Sequence, residues 1–433
     1  MAKSPHTLLK RNDLTPPYSL TQEFAKIRNI LAGQASGMTL DQSLANQLID
    51  ILLCKMYDEN NTKKNEVVRL QLHPGENSQK LLDRINQIYF EVKQIPEIGT
   101  LFINGDSISI QPNLLAEIIN IIQPYELTRA KRDVIGEAFE SFIGSSLRGE
   151  EGQFFTPRNI VEMICEIINP KSGEIILDPA CGTGGFLTQA IKHHHSKMNS
   201  NWSVYGIDKD AFLARVAAIQ VGLLRDKADG WCFCANSLDY PSNWPTELFK
   251  KMPLGSVDVI MTNPPFGSKI SVGSTITKSY DLGKTWKKKT ENKWEKTNSF
   301  ETDRPPQLLF IERCLQFLKP GGRMAIVLPD GVLGNQKEGY VRQYIKEIAD
   351  IIAIVDLPLE TFMPSTSTKT SVLFLRKKQQ SEASKEIFMA IGTTCGHDRR
   401  GNAIFNLDGS IKDDLLIISN AFRNWSVNNA KDF

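Results

Sequence analysis

An apolar run, Ile175-Ile176-Leu177, ends in Asp178, breaks into the bend Pro179-Ala180-Cys181-Gly182-Thr183-Gly184-Gly185 and resumes an apolar pattern at Phe186-Leu187. A short run without polar alternation predicts a strand buried on both faces. A tight turn from such a strand into a helix lets a nucleotide-like ligand approach bare backbone. The bend is not a P-loop, because no Gly-Lys-Ser/Thr follows, and its glycine spacing is not GxGxxG. Without a phosphate-seeking lysine it suits a ligand such as S-adenosylmethionine. A purely structural turn is the competing reading, and the flanking sequence decides between them.

From residue 175 onward, strand and helix patterns alternate, the signature of a parallel α/β sheet. Predicted strands cover 202–208, 230–237, 256–262, 323–329, 351–357 and 370–375, the last pair bringing an antiparallel element at the sheet edge. Helices are predicted from Phe186 to about Lys197, over Ala211–Leu224, and from the pair Pro305-Pro306 to Leu318, where Lys319-Pro320-Gly321-Gly322 ends the last of them. A further helix is predicted after Thr156-Pro157, with Thr156 as N-cap and Pro157 as first helical residue.

The front of the chain reads as helical. Apolar stripes run through 24–31, from a cap at Thr39 to Tyr57, and through 78–94, 113–123 and 131–145, with a solvated Lys/Asn-rich loop at 58–66. The expected organisation is a helical domain over 1–150, a catalytic α/β domain over 151–380 and a C-terminal tail over 381–433. The front packs its own core or offers a surface to a partner protein or DNA, and the tail suits subunit docking.

Composition excludes some classes. The net charge of +2 comes from 51 basic and 49 acidic side chains, so a nucleic-acid site must be a local patch. The seven scattered cysteines form no CxxC pair, which argues against a disulfide framework or structural zinc and for a reducing cytosol. The start, MAKSPHTLLKRND, lacks the apolar core of a signal peptide, and no run approaches the ~18 apolar residues of a membrane span. A soluble cytoplasmic protein that needs no membrane is expected.

Three polar residues sit beyond successive strand ends: Asp178, Asp208 and Asn236, the last followed by Ser237. Ligands of open parallel sheets bind at these ends, and an acid some 30 residues past the turn can accept both ribose hydroxyls. The most specific signal is Asn263-Pro264-Pro265-Phe266 at the exit of the 256–262 strand. Two prolines remove two N–H donors and leave carbonyls that only accept. The Asn263 side-chain oxygen and the Pro264 carbonyl can therefore receive one exocyclic amino group, while Phe266 stacks on a planar base. Downstream, Lys278, Lys284, Lys287, Lys288, Lys289, Lys293 and Lys296 stand among Tyr280, Trp286 and Trp294. That pattern suits phosphate contact and filling of the gap left by a flipped base, or else a solvated loop. His193-His194-His195 reads as a helix-end surface, and no metal ligand set is evident.

These residues together resemble the adenine-N6 DNA methyltransferases, specifically the modification subunits of type I restriction-modification systems, over about residues 20–420. Gly152-Gln153-Phe154-Phe155-Thr156-Pro157 is similar to the family's phenylalanine-rich element lying over S-adenosylmethionine. Residues 178–186 are similar to its main cofactor motif and Asn263–Phe266 to its catalytic tetrapeptide. Asp133–Glu140, Lys319–Gly322 and Thr370–Leu375 follow in the family's order. One position departs, since Asn236 stands where many relatives place an acid near the cofactor adenine.

The resemblance implies a Rossmann-like methyltransferase sheet behind a helical domain, and methyl transfer from S-adenosylmethionine to N6 of a flipped-out adenine. Asn263, Pro264, Pro265 and Phe266 would act on the base. Gln153, Phe154, Phe155, Thr156, Asp178, Ala180, Gly182, Thr183, Gly184, Gly185, Asp208, Asn236 and Ser237 would hold the cofactor. Lys278, Trp286, Lys287, Lys288, Lys289 and Trp294 are the candidate contacts to double-stranded DNA. Only 58 residues follow Leu375, too few for a sequence-reading domain, so a separate specificity subunit is implied. No nuclease or helicase motif is evident, so cleavage would belong to a further restriction subunit. RNA or protein-glutamine methylation and a non-catalytic DNA-clamping role are the rivals.

Overall fold

The amphipathic stripes of the front fold as expected wherever they are visible. The computed structural model describes residues 8–17, 20–34, 42–94, 107–129, 156–194, 203–223, 229–267, 270–291, 293–379 and 386–428. These belong to two units, Met1–Leu147 with Ala218–Leu223, and Arg148–Ala217 with Leu224–Phe433. In the first, helices α1 (Thr21–Gln34), α2 (Gln42–Asn61), α3 (Ser78–Lys93) and α4 (Pro112–Ile122) supply the core. Leu81, Ile85, Ile88 and Val92 of α3 recur at three and four residues and are all buried, as are Leu115, Ile118 and Ile122 of α4. Asn77 caps α3 by accepting the Lys80 N–H at 2.9 Å. The expected cap at Thr39 and the 131–145 helix, with Asp133–Glu140, lie outside the described residues.

The 58–66 loop begins later than predicted. α2 continues to Asn61, and Asp58 and Glu59 are buried. Asp58 accepts the backbone N–H groups of Arg69 (2.7 Å) and Leu70 (2.9 Å), and Glu59 those of Leu127 (3.0 Å) and Thr128 (2.9 Å) while pairing with Lys55 at 3.1 Å. Charges that look solvated in sequence are here buried, because orphan backbone donors and a buried cation meet them.

The second unit opens with α5 (Arg158–Ile168). Pro157 occupies the cap position at φ −54°, ψ 142°, one residue later than the predicted Thr156 cap, because its extended ψ keeps it outside the helix. The sheet elements follow: β1 (Ile175–Asp178), α6 (Gly185–His194), β2 (Ser203–Asp208), α7 (Ala211–Leu223, of which Ala218–Leu223 is counted with the first unit), β3 (Asp229–Cys234), α8 (Thr246–Lys251) and β4 (Val257–Thr262). Between β4 and α9 (Pro306–Phe317) lies an insertion closed at its base by β5 (Val272–Gly273) and β8 (Asp303–Arg304). Within it, β6 (Lys284–Thr290) and β7 (Lys293–Phe300) pair as an antiparallel hairpin where a solvated loop was the alternative expectation. β9 (Leu318–Pro329), α10 (Gly339–Ile348), β10 (Ala349–Asp356), β11 (Thr370–Lys377), β12 (Phe388–Ile391) and α11 (Leu415–Asn428) complete the unit.

The eight strands of the main sheet run in the order β12-β10-β11-β9-β4-β1-β2-β3. All neighbours are parallel except β11, which is antiparallel to both β9 and β10. The chain leaves β1 towards β2 and β3, then returns to place β4 on the other side of β1. The topological switch point therefore lies between β1 and β4, and a crevice opens there beyond the carboxyl ends of the strands.

Residues 388–428, assigned by sequence to a tail, join this unit. β12 pairs with β10, and Phe388 lies 5.4 Å from Phe422 and 5.6 Å from Trp425, ring centre to ring centre. Asn159 at the start of α5 donates to the Cys395 carbonyl (3.0 Å) and the Asp413 carboxylate (2.8 Å). The apolar run Ile387–Ile391 has no polar alternation, and periodicity alone does not tell such a short run from a helix segment, so it did not mark β12 as a strand.

Candidate active site

Both diagnostic motifs emerge at the switch point. Leu177 of β1 stands in register with Ile260 of β4, so Asp178 and Asn263 leave adjacent strands at the same edge. On the other side Asp178 faces Gly206 of β2, and Asp208 faces Cys234 of β3. The residues beyond β4, β1, β2 and β3 thus line one rim.

The turn after β1 is built from local hydrogen bonds. Ala180 donates its N–H to Asp178 at 3.1 Å, Cys181 to the Ile207 carbonyl at 3.0 Å, and Gly184 to the Cys181 carbonyl at 2.8 Å. Gly182 and Gly184 take φ of +52° and +88°, which L side chains adopt only with strain. Gly185 begins α6, and Thr183 is buried. Gly182 donates to Asp208 Oδ2 at 2.9 Å, and Asp210 donates to Asp208 Oδ1 at 2.9 Å. Each carboxylate oxygen keeps a second acceptor site, so Asp208 can still receive ribose hydroxyls.

Asp178 is 1 % exposed. Burial, with the Asp208 charge adding to it, pushes its carboxyl up to about 7. Burial likewise raises Asp208. Among the described residues neither acid is in an ion pair, so the rim holds two crowded carboxyl groups that a cationic ligand would relieve. This fits S-adenosylmethionine, which carries a sulfonium and an ammonium beside its ribose.

Beyond β3, the Asn236 side chain accepts the Leu238 N–H at 3.1 Å, and Ser237 donates to the Pro179 carbonyl at 2.6 Å. Ser237 thereby ties the third strand's exit to the first turn. Beyond β4, Asn263 is half-buried and Pro264 buried, while Pro265 is half-buried. Phe266 is 1 % exposed and meets Phe362 edge-on at 6.1 Å and 83°, so its ring lies in the wall and not on the surface. Thr156 is half-buried just before α5, and Gln153, Phe154 and Phe155 lie outside the described residues.

Of the basic stretch, Lys278, Lys287, Lys288 and Lys289 are exposed, but Trp286 and Trp294 are not free aromatics. Each ring sits 5.8 Å from Tyr340 of α10. This corrects the expectation that they fill the gap left by a flipped base, since packing on the body of the unit already occupies them. Cys181 is buried, and its contact with the Cys232 thiol, then burial, raises it well above an ordinary thiol, which does not suit a nucleophile. His193 ends α6 against Glu166 at 3.1 Å. Among the described residues no group of His, Cys, Asp and Glu could hold a metal ion.

Sequence reasoning missed the support behind this rim. Arg313 of α9 is 2 % exposed and donates to the Tyr280 hydroxyl at 2.8 Å and the Asp239 carbonyl at 3.0 Å. Tyr280 donates in turn to the Leu238 carbonyl at 2.7 Å. Glu312 accepts the N–H groups of Asp281 (3.0 Å) and Leu282 (2.8 Å). An Arg inside a helix with no motif around it carried no sequence signal.

The doubly wound sheet with its antiparallel β11 and its strand-end acids defines a Rossmann-like methyltransferase fold. A type I restriction-modification methyltransferase subunit from Streptococcus thermophilus has this fold, at a TM-score of 0.61 and 19 % identity over 94 % of this chain and 92 % of that one. The N-6 DNA Methylase family model matches residues 130–410, and the chain belongs to that family. Among curated relatives, the EcoEI methylase subunit of Escherichia coli is 29 % identical over 62 % of this chain and 52 % of its own. The EcoKI methylase subunit of Escherichia coli strain K12 is 26 % identical over 82 % of this chain and 66 % of its own. The chain thus spans about half to two thirds of the length of these relatives.

Proposed function

We propose that this chain transfers a methyl group from S-adenosylmethionine to N6 of adenine in double-stranded DNA, as the modification subunit of a type I restriction-modification complex. The observation that carries this is Asn263-Pro264-Pro265-Phe266 leaving β4 beside the buried Asp178 of β1, at the switch point of the sheet. Asp178, Ala180 and the Gly182–Gly185 turn, with Asp208, Asn236 and Ser237, hold the cofactor, and Gln153–Thr156 cover it. When bound, S-adenosylmethionine supplies the electrophilic methyl carbon.

Adenine N6 is a weak nucleophile because its lone pair is delocalised into the ring. The Asn263 side-chain oxygen and the Pro264 carbonyl accept its two hydrogens, which favours a pyramidal nitrogen and stabilises the charge that develops on it. Pro265 fixes the backbone of this acceptor pair. A duplex base reaches the site only after flipping, and stacking on Phe266 requires one face of that ring to be uncovered as the base enters. A separate specificity subunit selects the sequence, and a restriction subunit is the further partner. The setting is cytoplasmic, and among the described residues no helix is long and apolar enough to cross a membrane.

The test is base-modification sequencing of DNA from cells carrying the intact chain with its neighbouring genes, beside cells carrying Asn263→Ala. Methylated adenines in a split recognition sequence, lost in the variant, are expected. Unchanged adenine methylation would overturn the proposal, and tritiated methyl transfer to RNA and protein would then separate the rivals.

A further inference from the structure

The insertion that carries the β6–β7 hairpin leaves β4 just past Phe266 and returns at the first turn of α9. It therefore springs from the carboxyl edge of the sheet, the edge that carries Asp178 and Asn263. It is also seated firmly. Trp286 and Trp294 flank Tyr340, and Gln343 bonds both backbone groups of Trp294, accepting its N–H at 2.7 Å and donating to its carbonyl at 3.0 Å. A Cβ at Gly339 would stand 2.6 Å from Trp294 Nε1, so the absence of a side chain there gives the indole its place. Arg304 closes the base, donating to the Lys284 carbonyl at 2.8 Å with its guanidinium 5.3 Å from the Tyr340 ring centre. A connector that only bridges β4 to α9 has no need of two anchored tryptophans.

Successive strand residues alternate sides. With Trp286 turned to α10, Lys287 and Lys289 face away from it. Glu295 stands opposite Lys287 in the ladder, which puts Lys293, two residues back, on that outer face as well. The lysines divide by partner. Lys284 and Lys296 both pair with Asp281, at 2.8 and 2.7 Å, and Lys289 pairs with Glu295 at 2.7 Å. Lys288, opposite Trp294 in the ladder, shares the tryptophan face, whereas on the outer face Lys287 and Lys293 are exposed and among the described residues neither has an ion pair. Like charges crowded on one short ribbon repel each other, and a row of phosphates removes that cost. Because the aromatics are spent on anchoring, the ribbon is left with charge and no stacking surface. That combination suits the backbone of a duplex and not its bases.

We propose that this hairpin is a fixed phosphate-binding arm, with Lys287 and Lys293 meeting the backbone of double-stranded DNA beside the adenine site. The proposal rests on DNA being the substrate, and it adds the surface that holds it.

The test is fluorescence anisotropy of the full chain with a labelled duplex, with salt varied between about 50 and 200 mM. The combined variant Lys287→Gln, Lys293→Gln is compared with Lys171→Gln, Lys250→Gln, two lysines preceding β1 and β4 at the other edge. Each lost phosphate contact lowers the slope of log affinity against log salt by about 0.9, so the hairpin variant should bind more weakly at low salt with a slope smaller by about 1.8. The control should match the parent. Equal losses in both variants would reduce the effect to overall charge, and no loss in the hairpin variant would leave it a solvated face; either result overturns the arm. Binding is read without methyl transfer. A hairpin effect in a chain that methylates no adenine would therefore keep the arm and discard the chemistry.

Discussion

The carboxylate of Asp208 accepts the Gly182 N–H at 2.9 Å, so the acid that ends β2 holds the turn that leaves β1. The same side chain is the proposed ribose acceptor, and its two duties are linked. In Asp208→Asn one carboxylate oxygen becomes an NH2 group facing a backbone N–H donor. One of the two backbone donors then goes unmet, at a cost of about 1–3 kcal/mol. Calorimetric titration with S-adenosylmethionine should show affinity reduced at least about tenfold, or ~1.4 kcal/mol. Affinity within error of the parent would take Asp208 out of the cofactor site.

Asp178 gives a pH dependence with a definite sign. Its carboxyl, pushed up to about 7 by burial, holds a proton in the folded chain that the unfolded chain releases near the ordinary carboxylate value. The folded state thus binds more protons, so the stabilisation is full below about pH 4 and is lost as pH rises towards 7. Without cofactor, this residue's contribution to thermal stability should decline across that window, and Asp178→Asn should flatten the decline. A cationic ligand needs the ionised form. Affinity for S-adenosylmethionine should therefore strengthen up to about tenfold per pH unit below 7 and level off above it. An affinity independent of pH between 5.5 and 8, values chosen to bracket the shifted carboxyl at about 7, would refute the carboxylate–cation contact.

The two positive-φ glycines of the turn should differ in their tolerance. A Cβ at Gly182 meets nothing within 4 Å, whereas one at Gly184 would lie 3.2 Å from Ala217 Cβ and 3.3 Å from its Cα. Gly182→Ala bears only the left-handed strain, about 1–2 kcal/mol. Gly184→Ala bears that strain and also presses on α7, so its urea midpoint should fall further. Adding Ala217→Gly should not restore it, because the φ remains and glycine within a helix costs about 1 kcal/mol more. Equal midpoints for the two single variants would mean that the close approach of turn and helix is not felt.

Much of this site is written locally in the sequence. Ile175–Phe186 and Asn263–Phe266 are contiguous, and each carries its geometry in residue types, so strand ends, turn and tetrapeptide were placed in advance. What escaped was set by partners distant in sequence. Asp58 and Glu59 are charged residues whose burial depends on backbone donors at 69–70 and 127–128. Trp286 and Trp294 looked available for a base until Tyr340 was seen between them. β12 is a short apolar run whose pattern fits strand and helix alike, and its partner is the edge of β10. Periodicity reports which face of an element is apolar, not which remote donor will satisfy a buried acid.

Arg313 is the most consequential of these hidden residues. Its guanidinium lies 5.0 Å from the Tyr280 ring centre and 5.3 Å from that of Trp244, and it donates to the Asp239 carbonyl. Trp244 donates through Nε1 to the Asn236 carbonyl at 3.0 Å. The 236–239 loop, which carries the proposed adenine contacts, therefore hangs from α9 through Arg313, Tyr280 and Trp244. Tyr280→Phe keeps the ring but leaves the Leu238 carbonyl and one Arg313 donor unmet, at about 1–3 kcal/mol. Arg313→Lys keeps the charge but loses the planar fork that reaches two acceptors. Both variants should lower thermal stability and weaken S-adenosylmethionine binding by about five- to tenfold, or ~1–1.4 kcal/mol, while duplex binding in the absence of cofactor stays at the parent level. The split separates positioning from bulk stability. A fall in melting temperature with unchanged cofactor affinity would mean that Arg313 and Tyr280 support the fold without setting the loop.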